Sequence, residues 1–321
     1  MEKENLFKKY AISPNDIDMG IRRILSEAYA TSIVCDEPEL IYIAAGPGAG
    51  KSSVERYFKR KLNKEGKDPF IINSDKIAMF HKYYDELLEL PPNDCYVLSR
   101  QFVRPATPTI FDELRKNRIS LINENTLDKG EADIQQAKAF KDAGYKISVN
   151  VIATDLYESR LSCFEREATA LQMGETPRGC AKENQLRMYN GFISGIKTLD
   201  EQGLIDEINI YIRGENIAKP PVLVYKTGDT NYRDFQEAID VERQKQRLNL
   251  FRNPSAYFSR MQRTRETIST LGHNPKLTRN ALEGLEELER DFAVELSKYL
   301  AAPDKYFEGG TSKKQSVPEE R

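Results

Sequence analysis

The 321-residue chain has no tryptophan, two histidines and four cysteines. With only His81 and His273 available, histidine-based metal sites and catalytic triads have little material. Cys35, Cys95, Cys163 and Cys180 are scattered, without Cys-x-x-Cys or any metal-ligand spacing. A disulfide framework is therefore not expected, and thiols in a reducing cytoplasm are. No apolar run approaches the roughly 18 residues that span a bilayer. The opening MEKENLFKKYAISPND is charged and lacks the apolar centre of a signal peptide. An excess of one charge is missing too: 48 Lys and Arg stand against 50 Asp and Glu. No global field then draws the chain to nucleic acid or to a membrane. What these absences leave is a soluble, cytoplasmic protein, long enough for one large domain and an appendage.

The patterning supplies the organisation. Residues 1–38 read as a helical lead-in, with Ile17, Ile21, Ile24 and Leu25 at helical spacing. Residues 39–230 alternate between the two classes of element. Strands are expected at 40–45, 69–75, 119–126, 146–154, 207–213 and 221–227. Helices are expected at 51–62, 76–90, 96–117, about 128–144, 156–171 and 178–200, with Gly144 as a stop signal. Strands separated by helix-length segments imply βαβ units, hence an α/β fold with a parallel sheet flanked by helices. From 231 to 302 the texture is helical only. Residues 241–265 are strongly basic, 279–300 mostly acidic, and GHNP at 272–275 is the turn between them. A helical hairpin of complementary charge is the expected arrangement, in preference to a nucleic-acid patch. Residues 303–321 read as a disordered tail.

The most informative stretch is AGPGAGKSS, residues 45–53, set between the apolar run LIYIA and the helix-like VERYFKRKL. In the pattern GxxxxGK[ST], consecutive backbone N–H groups curl around phosphates and the following helix adds its positive end. Gly46, Gly48 and Gly50 supply the needed backbone freedom, and Pro47, Ala49 and Ser53 complete the loop. Lys51 is placed to reach the β- and γ-phosphates, and the Ser52 hydroxyl to help ligate Mg²⁺. Ala45 stands where the pattern has its first glycine. The stretch signals nucleotide binding and is silent about the second substrate.

A phosphotransferase must also hold an acceptor at the carboxyl ends of neighbouring strands. The second strand ends in INSDK, which puts Asp75 at the lip of the sheet, and the third in NENT, which puts Glu124 and Thr126 there. Asp75 could take the proton of an attacking hydroxyl and orient it. Glu124 could govern Mg²⁺ or hold a substrate hydroxyl. Each acid also precedes a helix, where a cap or first-turn charge is the plain alternative. Arg160, Arg166, Arg178 and Arg187 are the cations available for charge developing on the transferred phosphoryl group, and arginines on such helices more often solvate an outer face.

Taken in order, AGPGAGKSS, INSDKIAMFHKYYDELLEL, LINENTLDKG and the ERE…ETP helix pair followed by GLIDEINIYIR resemble the zeta-toxin family of P-loop kinases. The resemblance runs from about residue 15 to 215. It implies an ATP- or GTP-dependent kinase that phosphorylates the amino-sugar 3′-hydroxyl of UDP-N-acetylglucosamine, and a separate antitoxin protein as partner. Carried over by position, it implies Asp75 as general base, Lys51 and Arg166 on the phosphates, Ser52 at the metal, and Glu124 with Thr126 on the acceptor. The family's second phosphate-binding arginine precedes its Thr-Pro pair. This chain has Gly174-Glu175-Thr176-Pro177 there, with Arg178 directly after. Asn125 replaces the usual glycine between Glu124 and Thr126 and is expected beside the sugar pocket. Two other readings stand beside this one: the same transfer onto NAD, a nucleoside or a polynucleotide end, and a nucleotide-binding switch protein with little catalysis. The C-terminal helices lie outside the resemblance, with bracing of the core as their default role.

Overall fold

The run Leu40–Ala44 is buried on both faces, as a strand is only when it lies inside a sheet covered on both sides. The computed structural model describes residues 2–127, 130–175, 177, 182–214 and 219–303. In chain order come α1 (Glu2–Lys9), α2 (Pro14–Thr31), β1 (Glu39–Ala44), α3 (Lys51–Lys64), β2 (Phe70–Ile72) and α4 (Ser74–Ala78). Next are α5 (Tyr84–Leu88), α6 (Pro92–Lys116), β3 (Leu121–Glu124), α7 (Glu131–Asp142), β4 (Lys146–Ile152) and α8 (Leu156–Gln172). The chain continues through α9 (Lys182–Glu201), β5 (Glu207–Ile212), β6 (Val222–Lys226), α10 (Phe235–Arg252), α11 (Pro254–Leu271) and α12 (Pro275–Ala301). Residues 304–321, expected to form a tail, lie outside the described residues, as does Cys180.

The strands form one six-stranded sheet in the order β2-β3-β1-β4-β5-β6. Pairing is parallel from β2 through β5, with β1 against both β3 and β4. The last strand departs from the expected parallel arrangement: β6 runs antiparallel to β5, with a register shift at Ile210/Tyr211. The cause is the connection. No helix stands between β5 and β6 among the described residues, so the chain has no crossover with which to return in the parallel sense. Val222 and Leu223 on that edge are correspondingly exposed.

Val54, Phe58 and Leu62 of α3 cover one face of the sheet, packing on Ile41, Ile43, Ile122 and Tyr211. The opposite face carries the larger core, to which Ile24 of α2, Phe102 of α6, Phe140 of α7, Phe192 of α9 and Ile239 of α10 all contribute. Inside the sheet, Asn150 on β4 donates to Tyr42 O (3.3 Å) and accepts from Asn209 on β5 (3.1 Å), so two buried amides satisfy each other across three strands. The helix expected over 76–90 is divided. α4 ends at Ala78, and the backbone turns through Met79–Tyr83 before α5, with His81 buried beneath that turn.

The C-terminal segment differs from the expected hairpin. Asn253-Pro254 breaks the basic stretch into α10 and α11, because proline accepts a helix start but not an interior position with a bonded N–H. α11 and α12 pack against α8 around the fully buried Phe292, whose ring meets Tyr157 at 5.3 Å, Phe251 at 5.6 Å, Tyr257 at 4.3 Å and Phe258 at 5.5 Å between centroids. Charge complementarity is mostly with α8, not between the two halves of a hairpin. Arg260 grips Glu158 and Glu165 through four bonds of 2.8–2.9 Å, and Asp291 of α12 accepts from Arg160 at 2.7 Å. Arg265 to Glu289 does join α11 to α12.

Phe292→Ala is expected to cost about 3–5 kcal/mol in urea unfolding at equilibrium, the usual range for emptying a fully enclosed aromatic site. A loss below about 1 kcal/mol would mean that this aromatic cluster does not hold the C-terminal helices to α8.

Candidate active site

All parallel strands end on the same edge of the sheet, and the loop at 45–50 leaves the carboxyl end of the central strand β1. Gly48 has φ +72° and Gly50 φ +94°, the left-handed region in which a side chain is strained. Space is short as well. A Cβ on Gly48 would lie 2.2 Å from Ser159 O and 2.9 Å from Cys163 Sγ, so the loop rests directly on α8. A Cβ on Gly50 would meet Arg213 Nε at 3.1 Å. Gly46 has an ordinary φ and faces Tyr189 of α9.

Four loop carbonyls find side-chain donors on four residues. Ala49 O accepts from Thr154 Oγ1 at 3.0 Å and from Arg213 Nε at 2.9 Å. Pro47 O accepts from Ser159 Oγ at 2.5 Å. Gly46 O accepts from Lys51 Nζ at 3.0 Å, and the same ammonium donates to Ala45 O at 3.2 Å. Lys51 opens α3, so its ammonium folds back into the cradle while Ser52 and Ser53 begin the helix behind it. Ser52 is exposed.

Burial is the largest influence on Lys51 and lowers its pKa. Glu124 and Asp75 pull it back up, and Arg166 pushes it further down. Those three side chains are thus within electrostatic reach of the ammonium, although they come from β3, α4 and α8. Burial likewise raises the Glu124 carboxyl, against the pull of Lys51. Asp75 and Arg166 are exposed, and Glu124 and Thr126 are half-buried.

Neither acid is an N-cap, although Asp75 is the first-turn acid of α4 that the plain alternative names. Asn73 is the N-cap of α4, accepting from Lys76 N at 2.8 Å, and its amide donates to Glu124 Oε2 at 3.4 Å. Asp75 sits one residue into that helix. The N-cap of α7 is Gly130, so Glu124 caps nothing. Asn125 is engaged within its own turn. Its amide donates to Asp133 Oδ1 at 3.0 Å and its oxygen accepts from Leu127 N at 3.2 Å. The side chain braces the β3–α7 turn and its strained Leu127 (φ +48°) through an Asx turn. Gly195 of α9 makes room for that turn: a Cβ there would lie 1.7 Å from Leu127 O.

The arginines part company. Arg166 shares the loop-facing side of α8 with Ser159 and Cys163, whereas Arg160 is 3% exposed and committed to Asp291 and Glu287 of α12. Arg187 lines a cleft of about 370 Å³ beside the β3–α7 loop, between Leu127, Asp133 and Gly191. Arg178 lies outside the described residues. Sequence reasoning missed Thr154, Ser159, Tyr189 and Arg213. Arg213 carried a legible signal, a cation directly after an apolar strand whose end shares the loop's edge of the sheet. The other three had none.

The set fits a nucleotide and its divalent ion: a glycine loop between the carboxyl end of β1 and the start of α3, an enclosed ammonium, and a hydroxyl at the first turn of that helix. No cluster of three or more His, Cys, Asp or Glu that could cage a metal occurs among the described residues. That suits an ion held chiefly by phosphates, water and one hydroxyl. No helix among the described residues is long and apolar enough to cross a membrane.

Comparison with known proteins bears on this arrangement. The zeta toxin family model matches residues 26–222. Toxin PezT of Streptococcus pneumoniae serotype 4 is 25% identical over 178 residues, which cover 55% of this chain and 69% of PezT. A solved structure from the PezAT chromosomal toxin–antitoxin system of Streptococcus pneumoniae has a TM-score of 0.60 at 17% identity, covering 88% of this chain and 99% of the other. That share exceeds residues 1–222, so the likeness of fold extends into the C-terminal helices. A chain of the AvrRxo1-ORF1:AvrRxo1-ORF2 complex, with sulphate ions, has a TM-score of 0.47 at 13% identity, covering 89% and 85%.

Gly48→Ala adds a left-handed penalty of about 1–2 kcal/mol to a backbone collision, whereas Gly66→Ala, at nearly the same φ in open space, adds the first alone. Chemical denaturation is expected to show at least twice the loss for Gly48→Ala, with ATP binding abolished in that variant only. Equal losses would mean that the loop is not seated on Ser159.

Proposed function

The chain belongs to the zeta toxin family, and from the loop's geometry we propose that it is a kinase carrying the γ-phosphate of ATP or GTP to a sugar hydroxyl. The acceptor is the 3′-hydroxyl of the amino sugar in UDP-N-acetylglucosamine. One observation carries the reading: Lys51 Nζ is seated on Ala45 O and Gly46 O at the carboxyl end of β1, and Glu124 at the end of the neighbouring β3 is tied through Asn73 to the helix that bears Asp75.

In this reading residues 46–53 hold the donor's phosphates, chiefly through the backbone N–H groups that flank Pro47 on its C-terminal side. Lys51 and Arg166 offset the charge gathering on the transferred group, the largest contribution available to such a site. Ser52 holds Mg²⁺, with Glu124 beside it, and the ion neutralises phosphate charge. Glu124 and Thr126 hold the acceptor. Asp75 takes the proton as the acceptor oxygen bonds to the γ-phosphorus and the bond to the β-phosphate oxygen breaks, releasing the nucleoside diphosphate. Asp75 stands in the first turn of α4, exposed at the strand-end edge of the sheet, where in this reading its carboxylate meets the acceptor. Residues 39–230 form the catalytic unit and 231–302 its brace. An antitoxin protein is the partner, in keeping with the toxin–antitoxin systems of the similar proteins.

Purified protein with Mg²⁺-ATP and a panel of acceptors (UDP-N-acetylglucosamine, NAD, nucleosides, a short oligonucleotide), read by mass spectrometry, tests this directly. UDP-N-acetylglucosamine is expected to gain one phosphate. Asp75→Asn is expected to slow that gain by about 10²–10⁴-fold while ATP affinity stays parental. Phosphate gained by another acceptor would replace the substrate and keep the chemistry. No gain on any acceptor despite ATP binding would overturn the kinase reading.

A further inference from the structure

The basic stretch of α10 does not face solvent as a charged stripe. Arg243, Gln246 and Arg247 share one face of the helix at i, i+3 and i+4, and each reaches a different point around the phosphate loop. Gln246 donates to Ala153 O at 2.5 Å and accepts from Asp155 N at 3.2 Å. Arg247 donates to Asp155 Oδ2 at 2.8 Å, and the other oxygen of that fully buried carboxylate caps α8 through Tyr157 N. Between Ala153 and Asp155 stands Thr154, whose hydroxyl holds Ala49 O.

Arg243 is the unusual member. It is 6% exposed, and among the described residues no carboxylate lies within ion-pair distance of it. Its guanidinium carbon lies 3.7 Å from the centre of the Tyr189 ring and 5.5 Å from that of Phe192, and Nη2 donates to Tyr189 O at 2.7 Å. Nε is buried without a hydrogen-bond partner. For filling space alone this is a costly choice, since an apolar side chain would pack there without desolvating a cation. What the arginine adds is aim. It fixes ring and carbonyl of one residue together, and that residue's Cα and Cδ2 would stand 3.7 and 3.9 Å from a Cβ on Gly46.

We propose that Arg243 is a positioning residue for the phosphate loop: by stacking on Tyr189 and tying its carbonyl, it holds that ring against Gly46 and so sets the wall that α9 gives the cradle beside Ser159 of α8. The C-terminal helices are then part of the nucleotide site, not an appendage that only adds stability. The inference rests on the loop being a nucleotide site.

Calorimetric titration with Mg²⁺-ATP separates the two ideas. In Arg243→Met, Kd is expected to rise about fivefold or more, the loss of a desolvated cation–π contact and its hydrogen bond. Arg243→Lys, which keeps charge and a donor but not the planar stack, is expected to recover part of that loss. A merely structural role would lower the fraction of binding-competent protein and leave Kd unchanged. Should Arg243→Met fail to fold, Tyr189→Ala must show the same weakening. Parental Kd in folded Arg243→Met, or in Tyr189→Ala, overturns the inference. A parent chain that binds no ATP overturns the nucleotide reading first, and this one with it.

Discussion

A glycine loop packed against its neighbours covers its own carbonyls, and each covered carbonyl needs a donor. That requirement organises the molecule. Ala49 O is met from two sides, by Thr154 at the end of β4 and Arg213 at the end of β5. Pro47 O is met by Ser159 on α8. Three neighbouring elements are therefore bound to the loop by hydrogen bonds that are lost if the loop flattens. Gly48 and Gly50 make the bend possible, and Gly48 also permits the contact with α8.

α8 transmits the same constraint outward. One side touches the loop through Ser159 and Cys163. The other is held by α11 and α12, through the cluster around Phe292 and through Arg260 on Glu158 and Glu165. Glu158 also faces Arg213 at 3.5 Å, so one carboxylate links the C-terminal helices to the arginine that spans the loop. Such bidentate, partly enclosed pairs fix orientation more than they add stability. For phosphoryl transfer orientation is the larger need, since the chemistry is mainly placement and charge compensation.

How much of this the sequence made legible follows from the range of the forces involved. The loop, the strands and the acids at their ends are encoded within a few residues each, as backbone freedom, apolar runs and polar termini, and the structure brings Lys51, Asp75, Glu124 and Arg166 to one edge of the sheet. The sense of β6 was legible but not in the strand's own residues: the short span between 213 and 221 leaves no room for the crossover that a parallel return needs. The inward turn of Asn125 was not legible, since it is decided by Asp133 on the next helix. The basic stretch at 241–265 is expected to pair with the acidic 279–300. Arg247 and Arg260 instead pair with Asp155 and Glu165, and Arg243 with a carbonyl of α9, about 50 to 100 residues away in the chain, where no local pattern names them.

The central claim is that residues 46–53 cradle a nucleotide's phosphates with the acceptor side facing Asp75. A crystal structure with Mg²⁺ and a non-hydrolysable ATP analogue tests it most directly. The account expects the terminal phosphate within hydrogen-bond reach of the loop amides and Lys51, with Arg166 alongside and the Asp75 carboxylate across an open acceptor cleft. An analogue bound with its phosphates outside the loop, or with Asp75 turned away and shielded from the terminal phosphate, would contradict it.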